Sequence, residues 1–429
     1  MSMTPATPPV VAPAAEPEPD SSVRSRTGMV RVGVGLGVLD LGWTIAFAAA
    51  SGVLLATKIA TLYPDDKVPL LAGITISGSV VALLANVFFG ALSDRTRTRF
   101  GSRTPFIVFG AIAAGAAMFA LSFADTYVPL LIIWCLYQAA QNAIIAPSRV
   151  WIADRVPANR RGTITTVASV GSLIGFTGGA AVGARFITDV HLGMLVFAAI
   201  ILILPVAGVL IAPDLDNRDI PRKPLKGAEI WSAFSFPRLR GAHDFYWALF
   251  GRFLLILGYY MVNGYVLYIL TDYIKLSLEE AAGVISVGAL LSLGSNLLAA
   301  TISGPVSDKM GRRKPIIFVA TVIFAVAISI PLVFPSALGM LLFYAIGGFG
   351  FGAYTAVDGA LITQVLPDQG SRGKDLGILN TSNTLGQILA PVASAGFIGF
   401  GIGYVPVFVA AILVCLVGAV AIIPIKQVR

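Results

Sequence analysis

Four charged residues stand inside long apolar runs of this chain: Asp40, Arg149, Arg252 and Asp358. A charge near the middle of a bilayer costs about 3 kcal/mol on insertion scales, so each needs a partner or a wet cavity. Two acids and two bases balance. Their chemistry admits three readings. One acid carries a proton while an arginine tunes it or binds a solute; a dry cavity favours the neutral carboxyl and a nearby guanidinium favours the anion. Alternatively, the four form a gate of ion pairs. Or the arginines snorkel to the headgroups on their long stems. Asp358 is the first candidate for a proton carrier and Asp40 the second.

Polar and aromatic side chains accompany them. One run offers Tyr137, Gln138, Gln141 and Asn142; another Tyr259, Tyr260, Asn263, Tyr265 and Tyr268; a third Asn380, Asn383 and Gln387. The last three are spaced i, i+3, i+7 and share one helix face. Amides donate to and accept from hydroxyls, and aromatic faces suit a sugar ring or a flat molecule. For any one of them, bonding between helices is an equal reading. Trp43, Trp134 and Tyr273 also suit a membrane interface.

The chain offers no nucleophile with a base, no phosphate loop and no metal cluster, so neither an enzyme nor a cofactor is expected. Gly33-x-Gly35 near Asp40 lacks the strand that a dinucleotide fingerprint needs. His191 and His243 are far apart, and Cys135 and Cys415 read as packing residues.

The elements that must position these groups are membrane helices. Of 429 residues, 56% are hydrophobic and 12% charged, half the usual charged share of about a quarter. The apolar runs are near 20 residues, the length that crosses a bilayer. The expected fold is an all-α membrane protein of twelve spans in two six-helix pseudo-symmetric bundles. The spans read as 34–62, 69–92, 105–123, 128–151, 163–187, 192–211, 245–273, 281–302, 315–334, 338–365, 376–400 and 404–425. They are called spans 1 to 12. A disordered tail (1–31) precedes the first bundle (32–212), a polar middle loop (213–244) separates it from the second (245–425), and 426–429 ends the chain. The middle loop has room for a short amphipathic piece over 230–236.

Lys and Arg give the orientation. With both termini in the cytoplasm, every inner segment is basic, while the outer ones hold only Lys58, Lys67, Arg185 and Lys275. The net charge of +8 is therefore read as a topology signal, facing membrane lipids rather than nucleic acid.

The halves echo each other. After span 2 comes Gly90-Ala-Leu-Ser-Asp94-Arg95, then Gly101 and Arg103; after span 8 comes Gly304-Pro-Val-Ser-Asp308-Lys309, then Gly311 and Arg312. Glycines permit a tight connection and arginines anchor it at anionic headgroups. The aspartates can meet a helix amino terminus: Asp94 is expected near Leu376, and Asp308 near Gly162. Such contacts would hold the inner side closed; the alternative is that these residues only turn and anchor the chain. Repeated halves mark carriers that rock about a midplane site.

The paired signature, the six-plus-six spans and the long middle loop resemble the major facilitator superfamily, from about Gly35 to Ile425. Asp94-Arg95 followed by Arg99-Phe-Gly101-x-Arg103-x-Pro105 is similar to the sucrose and glycoside symporter branches. So is the span 4 stretch from Asn142 through Pro147 and Arg149 to Asp154. Two departures are plain: Gln138 stands where sucrose symporters carry an aspartate, and the first outer loop has no histidine. The resemblance implies a monomeric carrier in the cell membrane, moving a small hydroxylated solute such as a sugar or glycoside by alternating access with a coupling proton. It also implies that spans 1, 4, 7 and 10 line the cavity, with Arg149 and Arg252 among its contacts. The alternative is a proton-driven exporter of drugs or metabolites.

Overall fold

A computed structural model describes residues 26–156, 160–219, 242–365, 372–399 and 401–426, with backbone alone at 26–27, 153–154, 360, 362–364 and 372–381. All twelve expected runs are helical. Among the described residues, ten helices are long and apolar enough to cross a membrane. Arg372–Gly399 and the shorter Val405–Val420 occupy the last two runs. No strand occurs among the described residues.

Span 1 begins at Arg26, inside the segment expected to be a tail. A helix already nucleated extends at little cost. Residues 1–25 and most of the middle loop lie outside the described residues, so the amphipathic piece expected there does too.

The packing repeats. In the first half, span 1 runs along spans 5 and 6, span 2 along span 4, and span 3 along spans 4 and 6. In the second half span 7 runs along spans 11 and 12, span 8 along span 10, and span 9 along spans 10 and 12. Between halves, span 2 meets span 11 and span 5 meets span 8.

Small residues make these approaches possible, because the lipid supplies no hydrophobic force between helices. Gly171, Gly175, Gly179 and Gly183 recur every fourth residue of span 5, and a Cβ at any of them would collide with span 1. Gly178, beside Gly179, meets only the tip of Ile45. Gly35 lies against Gly208 where spans 1 and 6 cross, and Gly251 against Gly418 where spans 7 and 12 cross. Cys415 packs against Gly258, so its expected packing role holds.

Both leading spans break their regular winding. Span 1 takes a π-helical turn at Ala50–Leu54. Span 7 stops at Asn263, resumes over Val266–Tyr268 and takes its own π turn at Ile269–Tyr273. Such turns are uncommon and cluster at functional sites.

Candidate functional site

A cavity of about 450 Å³ lies between the halves. The interrupted backbone forms part of its wall: Ser51, Gly52 and Val53 from the span 1 π turn, and Gly264, Tyr265 and Val266 from the span 7 break. Polar lining comes from both halves, including Thr75, Gln138, Asn263, Asn296 and Gln387. Among the described residues, no Asp, Glu, Lys, Arg or His side chain lines it.

Two of its serine and threonine hydroxyls are already engaged. Ser51 donates to the Phe47 carbonyl at 2.7 Å and Thr75 to the Leu71 carbonyl at 2.9 Å. The Asn263 amide donates to the Tyr259 carbonyl at 3.1 Å. The side-chain amides of Gln138, Asn296 and Gln387 make no hydrogen bond to any described residue, and all three line the cavity. An amide left free in a concave site can serve a ligand's hydroxyls or carbonyls.

Of the expected cavity residues, Gln138, Tyr260, Asn263 and Gln387 are therefore placed there. Gln141 and Asn142 are not. Gln141 is buried with its Oε1 unpartnered among the described residues. Asn142 joins two spans, accepting from the Asn86 amide at 3.0 Å and donating to the Gln138 carbonyl at 2.9 Å. The Asn380 side chain lies outside the described residues.

The four intramembrane charges form two ion pairs, one in each half. Asp40 lies 3.6 Å from Arg149. The Trp43 indole N–H donates to the Asp40 carboxylate at 2.9 Å and the Ser172 hydroxyl donates to it at 3.1 Å. Asp40 is 2% exposed, whereas the Arg149 side chain is 52% exposed. In the second half Arg252 lies 3.0 Å from Asp358. There the Tyr354 hydroxyl donates to Asp358 at 2.9 Å, and the Arg252 Nε donates to the Asn383 carbonyl oxygen at 2.9 Å. Asn383 thus supports an arginine and does not line the cavity, a correction to its expected place. The same correction applies to Arg149 and Arg252.

The pairs are offset from the cavity. The nearest lining residues on their helices are Phe47, seven after Asp40, Phe351, seven before Asp358, and Tyr259, seven after Arg252. Seven residues rise about 10 Å. The charges therefore sit between the cavity and the face at which span 1 starts and span 12 ends.

The opposite face is sealed. Lys67 of span 2 pairs with Asp272 of span 7 at 2.7 Å, and its ammonium stands 5.0 Å from the Tyr268 ring centroid. Asp272 also accepts from the Tyr404 hydroxyl at 2.8 Å. The Tyr268 hydroxyl donates to the Ala56 carbonyl at 2.9 Å, and Leu54, Leu55, Ile269 and Leu270 are fully buried around it. Farther along, the Ser286 hydroxyl donates to the Ala181 carbonyl at 2.9 Å, joining spans 8 and 5. Tyr268, expected among the solute contacts, is part of this seal. Lys58, expected in an outer segment, is buried; its ammonium donates to the Leu121 and Ser122 carbonyls at 2.9 and 2.8 Å and caps span 3.

At the face where span 1 starts and span 12 ends, the loop signature folds on itself. Arg103 donates to Asp94 at 2.5 Å and to the Ser93 hydroxyl at 2.7 Å. Gly101 has φ +82°, a left-handed conformation, and a Cβ there would strike the Asp214 carboxylate. That carboxylate accepts from the Arg103 backbone N–H at 3.2 Å. Burial pushes the Asp214 carboxyl above the usual carboxylate range, against the pull of the Arg103 and Leu215 N–H groups and the positive charges of Arg155 and Arg103. In the second copy Gly311 has φ +60° and closes the helix. Asp308 is 78% exposed in its side chain and reaches Arg313 at 4.0 Å. The contacts the structure gives these aspartates are thus to their own loops. The side chain of Leu376 lies outside the described residues, and a Cβ added at Gly162 would meet nothing within 4 Å.

Reading the residues missed three features: the Lys67–Asp272 contact, Asn296 on span 8, and the aromatic wall formed with Tyr344 and Phe351. Asn296 carried a signal, being an amide within an apolar run.

The comparisons agree with this architecture. The family model described as Major Facilitator Superfamily matches residues 34–303 and 248–428. Among solved structures, the nucleoside transporter NupG superposes with a TM-score of 0.72 at 14% identity, covering 92% of this chain and 100% of that one. A bacterial homolog of the human lysosomal transporter Spinster, inward-facing and unoccupied, has a TM-score of 0.67 at 15% identity, covering 93% of this chain and 95% of that one. No curated protein matches the chain.

Proposed function

The chain belongs to the Major Facilitator Superfamily, a family of membrane transporters, and we propose that it carries a small uncharged hydroxylated solute, a sugar or glycoside, coupled to a proton. The observation that carries this reading is the neutral cavity between the halves, with the free amides of Gln138, Asn296 and Gln387 facing it. A charged solute would meet no countercharge among the described lining residues, and burying it unpaired is expensive. Hydroxyls would meet donors and acceptors. The nucleoside named for NupG is itself an uncharged hydroxylated solute.

The ion pairs supply the coupling. Asp358 and Asp40 are the proposed proton carriers, held by Arg252 and Arg149. Separating a buried acid from its base leaves an uncompensated charge, which a proton can neutralise. Rocking of the halves would change these distances. The sealed face is taken as outside and the basic face at which span 1 starts as cytoplasmic. The Lys67–Asp272 seal must then break before the cavity opens outward.

The test is uptake of labelled disaccharides and glycosides into proteoliposomes with an imposed proton gradient. Accumulation that collapses when the gradient is dissipated is expected. The aromatic wall favours one competing reading, export of flat apolar compounds. Absence of any sugar or glycoside uptake, together with drug resistance on expression, would overturn the proposal in favour of it.

A further inference from the structure

The halves share the aromatic lining of the cavity unequally. Its lining includes seven aromatic side chains from the second half and three from the first. Tyr259 anchors the larger group: its ring stacks on Phe351 at 4.6 Å and on Phe324 at 5.8 Å, with Tyr260 edge-on at 5.1 Å. Tyr259, Tyr260 and Phe351 are only partly buried, so surface remains to meet a ligand. Flat rings prefer offset stacking or edge contact with other rings. Four amides share the cavity with this wall: Gln138 on span 4, Asn263 on span 7, Asn296 on span 8 and Gln387 on span 11.

Size and charge narrow the occupant. A volume of about 450 Å³ equals the liquid volume of roughly fifteen waters at about 30 Å³ each. That accommodates two linked rings. Among the described lining residues a phosphate or carboxylate meets no cation, and an ammonium meets no acid.

Resting on the reading of an uncharged hydroxylated cargo, we infer that the preferred solute is a glycoside with an aromatic aglycone. The aglycone ring lies against the wall of Tyr259, Tyr260 and Phe351, and the sugar hydroxyls bond the free amides of Gln138, Asn296 and Gln387. A phenolic glycoside and a nucleoside share this chemistry, one joined through oxygen and the other through nitrogen.

The experiment measures binding to the purified full chain by thermal shift and competition, with matched probes. Phenyl glucoside is set against methyl glucoside, and uridine against ribose; sucrose and the aromatic cation tetraphenylphosphonium complete the set. At least one aromatic member of the two pairs should bind about tenfold or more tighter than its aryl-free partner, and which pair responds identifies the linkage. Phe351→Leu and Tyr259→Leu should erase that advantage. Gln387→Leu should weaken both members of the pair. The melting temperature of each variant without ligand separates lost recognition from lost folding.

If methyl glucoside, ribose or sucrose binds as tightly as the aromatic probes, this inference fails and the hydroxylated-cargo reading stands. Binding of the aromatic cation with no binding of any neutral probe overturns both, and so does silence from every neutral probe.

Discussion

The two intramembrane ion pairs are built from the same parts with the signs exchanged. In the first half the acid is on the leading helix and the base three spans later; in the second half the base leads and the acid follows. The settings differ as much as the signs. Arg252 and Asp358 approach to 3.0 Å, and each has a further partner in Asn383 or Tyr354. Arg149 stands 3.6 Å from Asp40 and keeps half its side-chain surface open, while Asp40 relies on Trp43 and Ser172. The contrast is one of setting: the second pair is the tighter strut, closer and more fully bonded, and the first leaves its arginine half open.

The largest effect should come from breaking the strut. Arg252→Ala leaves Asp358 buried beside a lone tyrosine, a change that costs about 3–5 kcal/mol when one member of a buried pair is removed. The melting temperature of purified protein reads it, and the double change Arg252→Ala with Asp358→Ala should recover part of the loss. A variant as stable as the parent would erase the contrast. Arg149→Ala should cost about 1 kcal/mol or less, as for a partly exposed pair, yet abolish transport in proteoliposomes. Retained transport would reduce Arg149 to a headgroup anchor.

Asp358→Asn and Asp40→Asn ask which pair couples the proton. Each amide keeps hydrogen bonding but carries no charge, so gradient-driven accumulation should fall while exchange of labelled for unlabelled solute continues. If both variants still accumulate solute, proton coupling resides elsewhere. The smallest effect is expected where the halves themselves touch. Asp272→Asn weakens a partly buried ion pair at the seal, worth about 1 kcal/mol. Labelling of a cysteine at Ser51 from the far side should rise about fivefold. An unchanged rate would mean that the apolar plug of Leu54, Leu55, Ile269 and Leu270 holds the seal alone.

Much of this was readable in the chain. Apolar runs of bilayer length gave twelve helices because every backbone group in lipid must bond within its own helix. The two Gly-x-x-Ser-Asp loops announced the repeat that the packing of spans reproduces. Four charges in apolar runs had to find partners or water, and each finds a partner. What could not be read depends on contacts between distant segments. Lys67 and Asp272 are separated by 205 positions, and nothing in either neighbourhood signals the other. Span 11 shows the limit of periodicity. Asn383 and Gln387 do share a helix stripe, but a rise of about 6 Å puts one on an arginine and the other at the cavity. The π turns were also invisible, since Ala50–Leu54 and Ile269–Tyr273 have unremarkable compositions for membrane helices.

The sign exchange between the halves has an electrical consequence. In these pairs each half keeps one positive and one negative group together, and the described lining of the cavity adds none. When the halves tilt, these groups carry no net charge through the membrane field. Each elementary charge crossing it is worth about 2.3 kcal/mol per 100 mV. Reorientation of the empty carrier should therefore ignore voltage, and any current recorded from it would belong to what it carries.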